Sequence, residues 1–236
     1  MKLVSWNCGG SFRTKYRSLD LFDADVWIIQ ECENPSLYPE SELCSRFQQY
    51  LWIGDNRHKG LGVFSCQGQR LEALDWSDLY QDHKLRYFLP CILDQNLNIL
   101  AVWTHRNNSP TFGYIGQFWK YLQTNGSNFQ NILIAGDFNS NVRWDLWDRW
   151  WNHSDVVRYL EDRGIVSLYH RMAQEAQGQE SKPTFFLHKN SAKPYHIDYY
   201  FASREIASQC RRLEIGKFSD WIHLSDHCPI FVDLEL

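Results

Sequence analysis

Five short apolar runs in this 236-residue chain end on an acid or an amide. Lys2-Leu3-Val4-Ser5-Trp6 runs into Asn7, Val26-Trp27-Ile28-Ile29-Gln30 into Glu31, and Asn131-Ile132-Leu133-Ile134-Ala135 into Gly136-Asp137-Phe138-Asn139. The fourth is His196-Ile197-Asp198-Tyr199-Tyr200-Phe201, and the last is Ser225-Asp226-His227-Cys228-Pro229 leading into Ile230-Phe231-Val232. Hydrolysis of a phosphodiester needs a cation to neutralise the scissile phosphate, an activated water, and help for the leaving oxygen. The residue types at these five ends supply all three.

Hard Mg²⁺ or Mn²⁺ prefers oxygen ligands and keeps several waters, so one or two carboxylates suffice. Glu31 is the candidate ligand, with Asn7 and Asp226 beside it. Taken singly, Glu31 is a solvated strand-end charge and Asn7 a turn residue. Asp137 and Asn139 lie two apart, so in extended backbone their side chains share a side; the bland alternative is an Asp/Asn turn. His227 can give or take a proton near neutral pH. Asp198 is its candidate partner, fixing the ring tautomer as acid–His pairs do. Either His227 or Asp137 can serve as the base.

Strands must bring these ends together. Strand-like runs occur at 2–6, 26–30, 61–65, 87–93, 98–104, 131–135, 184–187, 197–201, 211–215 and 230–234, rich in β-branched and aromatic residues and bounded by turn formers. Helical patterns are fewer: 15–22, 41–50, 114–122, and 155–163 with Ser154 as N-cap and Gly164 as stop. Buried strands with few helices point to an α+β sandwich of two stacked sheets. No repeat or long linker divides the chain, so 1–236 is expected to be a single domain. The polar stretch Gln174–Pro183 is expected to be a mobile surface loop.

The net charge of −4 argues against coating nucleic acid through bulk electrostatics and leaves room for a local basic groove. Seven dispersed Cys without a C-x-x-C pair suggest neither a zinc ribbon nor a thioredoxin-type site. With no long apolar leader and nothing near 18 continuous apolar residues, the expectation is a cytoplasmic protein without stable membrane insertion. The oligomeric state stays open.

Taken in order, Trp6-Asn7, Gln30-Glu31, Gly136-Asp137-Phe138-Asn139, Ile197-Asp198-Tyr199 and Ser225-Asp226-His227-Cys228-Pro229 closely resemble the motifs of the endonuclease/exonuclease/phosphatase superfamily. That superfamily includes exonuclease III and deoxyribonuclease I. The resemblance spans residues 6–229 and implies a four-layered α/β/β/α sandwich of two mixed sheets flanked by helices, with Mg²⁺-dependent cleavage of a phosphoester. It further implies that Glu31 binds the metal with support from Asn7 and Asp226. Asp137 and Asn139 would orient or activate the water and hold the phosphate, while Asp198 pairs with His227. His105 resembles a phosphate-contacting His of the deoxyribonuclease I-like branches, and Tyr114 a Tyr of the exonuclease III-like ones, so the subfamily stays open. Gly9 stands where nuclease relatives often carry an extra metal ligand.

Beyond the Asp137–Asn139 turn lies a Trp-rich segment in which Trp144, Trp147 and Trp151 fall at i, i+3 and i+7. That spacing puts them on one helical face, read as core in preference to a base-stacking platform. Arg143 and Trp144, nearest the turn, are expected to contact substrate. A DNA or RNA nuclease is the leading expectation; a phosphatase or phosphodiesterase of a phospholipid or small phosphoester is the alternative.

Overall fold

A computed structural model describes residues 1–47, 49–66, 68–106 and 112–236. Alternation along the strands builds it. Leu3, Val26 and Ile28 face one apolar cluster while their neighbours Val4, Trp27 and Ile29 face a second. Leu133 and Ala135 join the first cluster, and Ile132 and Ile134 face a third. Strands apolar on both faces must be covered on both.

The first sheet has the order β15 (Cys210–Ile215), β16 (Ile230–Leu234), β1 (Lys2–Asn7), β2 (Val26–Cys32), β4 (Lys59–Ser65), β3 (Gln49–Asn56). The second runs β11 (Ile165–Ser167), β14 (Asp198–Ser203), β10 (Ile132–Asp137), β9 (Leu97–Trp103), β8 (Phe88–Leu93), β5 (Leu71–Ala73). Two short ribbons pair β6 (Leu79–Tyr80) with β7 (His83–Lys84) and β12 (Phe185–Phe186) with β13 (Pro194–Tyr195). Each six-stranded sheet contains one parallel pair, β1–β2 or β9–β10, among antiparallel neighbours. The first apolar cluster is shared between the sheets, the second lies beneath short helices such as Phe12–Lys15 and Phe218–Trp221, and the third beneath Ile115–Asn125 and His153–Glu161. The result is the expected α/β/β/α sandwich.

Register then decides where the polar ends meet. Asn7 lies opposite Gln30, and Asp137 lies opposite both Trp103 and Asp198. Because β16 runs antiparallel to β1, with Ile230 opposite Ser5, the Ser225–Pro229 turn falls beyond the carboxyl end of β1. All five motifs therefore share one edge.

Several sequence expectations need correction. Residues 41–50 are not one helix: Glu42–Arg46 is helical, and Gln49 and Tyr50 pair with Ser65 and Phe64 in the sheet. The 15–22 pattern is a helix at Phe12–Lys15 followed by a 3₁₀ segment at Tyr16–Phe22. The 155–163 helix starts earlier, at His153, because Asp155 turns back to accept the Asn152 amide at 2.8 Å; Ser154 is not its cap. The 184–187 run shrinks to Phe185–Phe186. Edge strand β3 is half exposed, and β5 and β11 have three residues each, so all three escaped the hydrophobic pattern.

Trp144, Trp147 and Trp151 form no helical core face. Only Val142–Trp144 makes a 3₁₀ turn, Trp147 is 98% exposed and Trp150 66%. The chain is diverted because Asn152 binds the backbone of Leu146 and Arg149, while Asp145 accepts from the His153 and Ser154 amides. The 174–183 segment, expected to be mobile, is anchored. Glu175 accepts from Tyr169 Oη at 2.6 Å and the Ser181 amide at 2.8 Å, and Glu180 accepts from the Gly178 amide at 2.8 Å. Among the described residues no helix is long and apolar enough to cross a membrane.

Candidate active site

The turn after β10 is built around Gly136. Its φ is +145°, and a Cβ there would lie 1.8 Å from the Val102 carbonyl oxygen, so a side chain would push β10 off β9. The close approach leaves the following carboxylate, Asp137, fully buried. Asn139, at φ +45°, closes the turn by donating its backbone amide to Asp137 Oδ1 at 2.8 Å and its Nδ2 to Oδ2 at 3.0 Å. Asn139 Nδ2 also donates to the Thr104 carbonyl at 3.2 Å, and Asn7 Nδ2 to Asp137 Oδ2 at 2.9 Å.

His227 is held from every side. Ser225 Oγ donates to the Asn7 carbonyl at 2.7 Å and accepts the His227 amide at 3.1 Å, while Trp6 Nε1 donates to the His227 carbonyl at 2.9 Å. Phe185 packs on the ring at 4.6 Å. The imidazole Nδ1 meets both oxygens of Asp198, at 2.9 and 3.1 Å, and Nε2 lies 3.9 Å from Asp137 Oδ2. Three buried ionisable groups are thus in direct sequence: Asp198, His227, Asp137.

Their electrostatics divide them. Burial opposes charge on His227, but the Asp198 and Asp137 carboxylates outweigh it and raise the imidazole to about 10. Asp137 is pushed up to about 7 by burial and by Asp198, against the pull of His227 and the Asn7 and Asn139 donors. A group near 7 suits proton abstraction at neutral pH, whereas an imidazolium suits donation to an anion. The ligand atoms of Asp137, Asp198 and His227 lie within 4.8 Å of one another, as in a metal site. With Nδ1 on the Asp198 carboxylate and Nε2 facing Asp137, the trio is arranged as a proton-transfer series.

A hard cation fits elsewhere on the same edge. Glu31 is the bulged residue of β2, where pairing skips from Gln30 to Cys32, and its φ of +62° re-aims the carboxylate. Its Oε1 accepts from Asn7 Nδ2 at 3.3 Å, and Oε2 lies 2.7 Å from Lys59 Nζ. Among the described residues, the half-exposed Asp226 carboxylate meets only Ser225 Oγ, at a long 3.5 Å. Glu31 and Asp226 are both partly exposed carboxylates on this edge, hard oxygen donors of the kind Mg²⁺ or Mn²⁺ prefers. Asn7 is placed differently from the ligand expectation: its Oδ1 accepts the Gly9 amide at 3.1 Å, and its Nδ2 braces Glu31 and Asp137.

A cavity of about 540 Å³ opens beside this edge, lined by Tyr114, Asn139, Trp144, Trp151 and Phe185 with the cations Arg106 and Arg149 among its walls. Trp144 is 43% exposed, with its ring 5.2 Å from that of Tyr195. Tyr114 precedes its helix at φ +54° and donates its amide to the His105 carbonyl at 2.9 Å. The His105 ring packs on Tyr87 and Trp103, and among the described residues its Nδ1 has no partner. Arg143 turns to the neighbouring loop, donating Nε to the Gly178 carbonyl at 2.8 Å.

Sequence reasoning missed several supports. Buried Thr184 accepts the Ile197 and Asp198 amides through Oγ1 at 3.0 and 3.1 Å, fixing Asp198. Glu180, 2% exposed in its side chain, accepts from Asn141 Nδ2 at 3.2 Å and meets His170 Nε2 at 3.1 Å, tying the 174–183 segment to the chain just after the Asp137–Asn139 turn. Neither residue stands in a recognisable motif. Cys8 and Cys228 are pushed up to about 12 by burial, so their thiols are poor nucleophiles.

Two stacked six-stranded sheets between helix layers form the deoxyribonuclease I-like fold. No protein-family model matches the sequence, and no curated protein matches it. Solved structures do share the fold. A 3′ phosphatase from Neisseria bound to product DNA hairpin superposes with a TM-score of 0.71 at 15% identity, covering 100% of both chains. A 3′-5′ exonuclease from Neisseria meningitidis gives 0.69 at 15% identity, again over 100% of each chain. An AP endonuclease from Archaeoglobus fulgidus likewise gives 0.69 at 15% identity and 100% coverage of both.

Proposed function

We propose that residues 1–236 form a single catalytic domain, a Mg²⁺-dependent phosphodiesterase acting on DNA or RNA. The observation that carries this reading is the buried Asp198–His227–Asp137 series on the same sheet edge as Glu31 and Asp226. In this scheme Asp137 takes the proton of the attacking water, positioned by Asn139. His227 donates from Nε2 to a phosphate oxygen, its charge sustained by Asp198 at 2.9 Å. Glu31 and Asp226 would hold the cation, which when bound would supply charge to neutralise the scissile phosphate. The aromatic cavity wall with Arg106 and Arg149 suits a base and its backbone better than a lipid headgroup. The DNA-processing neighbours of the same fold support a nucleic-acid substrate. Seven unpaired thiols suit a reducing compartment such as the cytoplasm.

The test is an activity panel of plasmid DNA, single-stranded DNA, RNA, sphingomyelin and phosphoinositides, with and without chelator. Nucleic acid is expected to be cut, and chelation to abolish cutting. Asp137→Asn and His227→Ala should each lose at least ~10²-fold in kcat, the scale of a lost acid–base group. Near-normal turnover in both variants rejects these roles.

A further inference from the structure

Glu31 already has a cation. Lys59, the first residue of β4, places Nζ 2.7 Å from Glu31 Oε2 and passes 5.9 Å from the centre of the Trp103 ring. The contact is built into the hairpin. Gly60 pairs with Cys32 across the bulge that re-aims Glu31, and a Cβ at Gly60 would lie 2.3 Å from the Ile53 carbonyl oxygen. That close packing of β3 on β4 brings Lys59 over the site. The two partners differ in freedom: the Lys59 side chain is 51% exposed, that of Glu31 21%. An ammonium on a flexible stem half in water can swing away at little cost, whereas the carboxylate is fixed by its bulge and by Asn7.

We propose that Lys59 is a placeholder cation: it keeps the Glu31 carboxylate aimed into the site, yields that oxygen to a divalent cation, and then turns its ammonium to a substrate phosphate oxygen. The inference rests on the phosphodiesterase reading above. Two positive charges on one carboxylate oxygen repel, so Lys59 and a divalent ion compete for Oε2. Once released, a Lys at the mouth of an acidic site is a point-charge donor to phosphate. Lys59 is thus a positioning residue first and a substrate contact second.

The test separates the two readings. Mn²⁺ binding is measured without substrate, by paramagnetic resonance and calorimetry, on wild type, Glu31→Gln, Lys59→Met and Lys59→Arg, after thermal melts confirm folding. Removing the competing charge while keeping the apolar stem should tighten Mn²⁺ binding in Lys59→Met by about 5-fold or more, about 1 kcal/mol by the tenfold-per-1.4 kcal/mol rule. Lys59→Arg should stay near wild type, and Lys59→Met should raise KM for a DNA or RNA oligonucleotide. Mn²⁺ binding that is unchanged or weaker in Lys59→Met, with Glu31→Gln abolishing it, overturns the placeholder role alone. If wild type and Glu31→Gln bind Mn²⁺ alike, the cation site itself is misassigned and the inference falls with it.

Discussion

Replacing Asp198 by Asn removes one charge and almost no volume. The Asn side chain still offers an oxygen to His227 Nδ1–H, so the ring keeps its position. Its electrostatics change sharply. Asp198 meets Nδ1 at 2.9 Å with both partners buried. For charge centres ~4 Å apart at an effective dielectric of about 20, the lost attraction is about 4 kcal/mol, or roughly three pKa units. His227 should then fall from about 10 to roughly 7. Asp137, relieved of its neighbour's repulsion, should move down from about 7. The ring protons of His227, followed by NMR against pH, report the first shift, and kcat/KM against pH reports both. Wild type should gain activity as Asp137 ionises through about 7 and hold it well into the alkaline range. The variant should rise at lower pH and then decline, losing roughly 30-fold by about pH 8.5 as an imidazolium of pKa ~7 deprotonates. Stability follows the same sign. Because folding raises His227 from 6.5 to about 10, its contribution is fully present below 6.5 and is lost as pH climbs through about 10. A wild-type imidazole titrating near 6.5, or one unmoved by Asp198→Asn, would refute the charge series.

Two further outcomes follow from the neighbouring structure. Glu180→Ala removes a buried acceptor from His170, Asn141 and the Gly178 amide, and should cost about 3 kcal/mol in denaturant unfolding at pH 7. Burial works against the Glu180 carboxylate, but its hydrogen bonds hold it down at about 2 against an ordinary 4.5. The difference from wild type should therefore be full above 4.5 and shrink as pH falls through about 2; a constant gap would argue for packing alone. Trp144→Ala should raise KM on single-stranded nucleic acid by about tenfold, the scale of one base–aromatic stack, with kcat little changed. An unchanged KM with an intact fold would remove Trp144 from the substrate surface.

The part of the site legible in the sequence is the part that strands dictate. Continuous apolar runs mark Val26–Gln30 and Asn131–Ala135 as strands buried on both faces, so Glu31 and Asp137 have to emerge at their ends. Topology then needs only one parallel pair per sheet to put those ends together. What stayed hidden depends on contacts across large sequence gaps. Lys59 looks like any hairpin lysine until a bulge in β2 turns Glu31 toward it. Thr184, at the start of a run read as a strand, and Glu180, in the polar stretch read as mobile, support Asp198 and Asn141 through contacts their local sequence does not announce. The tryptophans failed for a different reason. Their spacing was helical, but Asn152 and Asp145 bind that backbone through their side chains and divert it from a helix. A polar residue at a helix start outweighed the apolar rhythm before it, and so Trp147 stands in water instead of in the core.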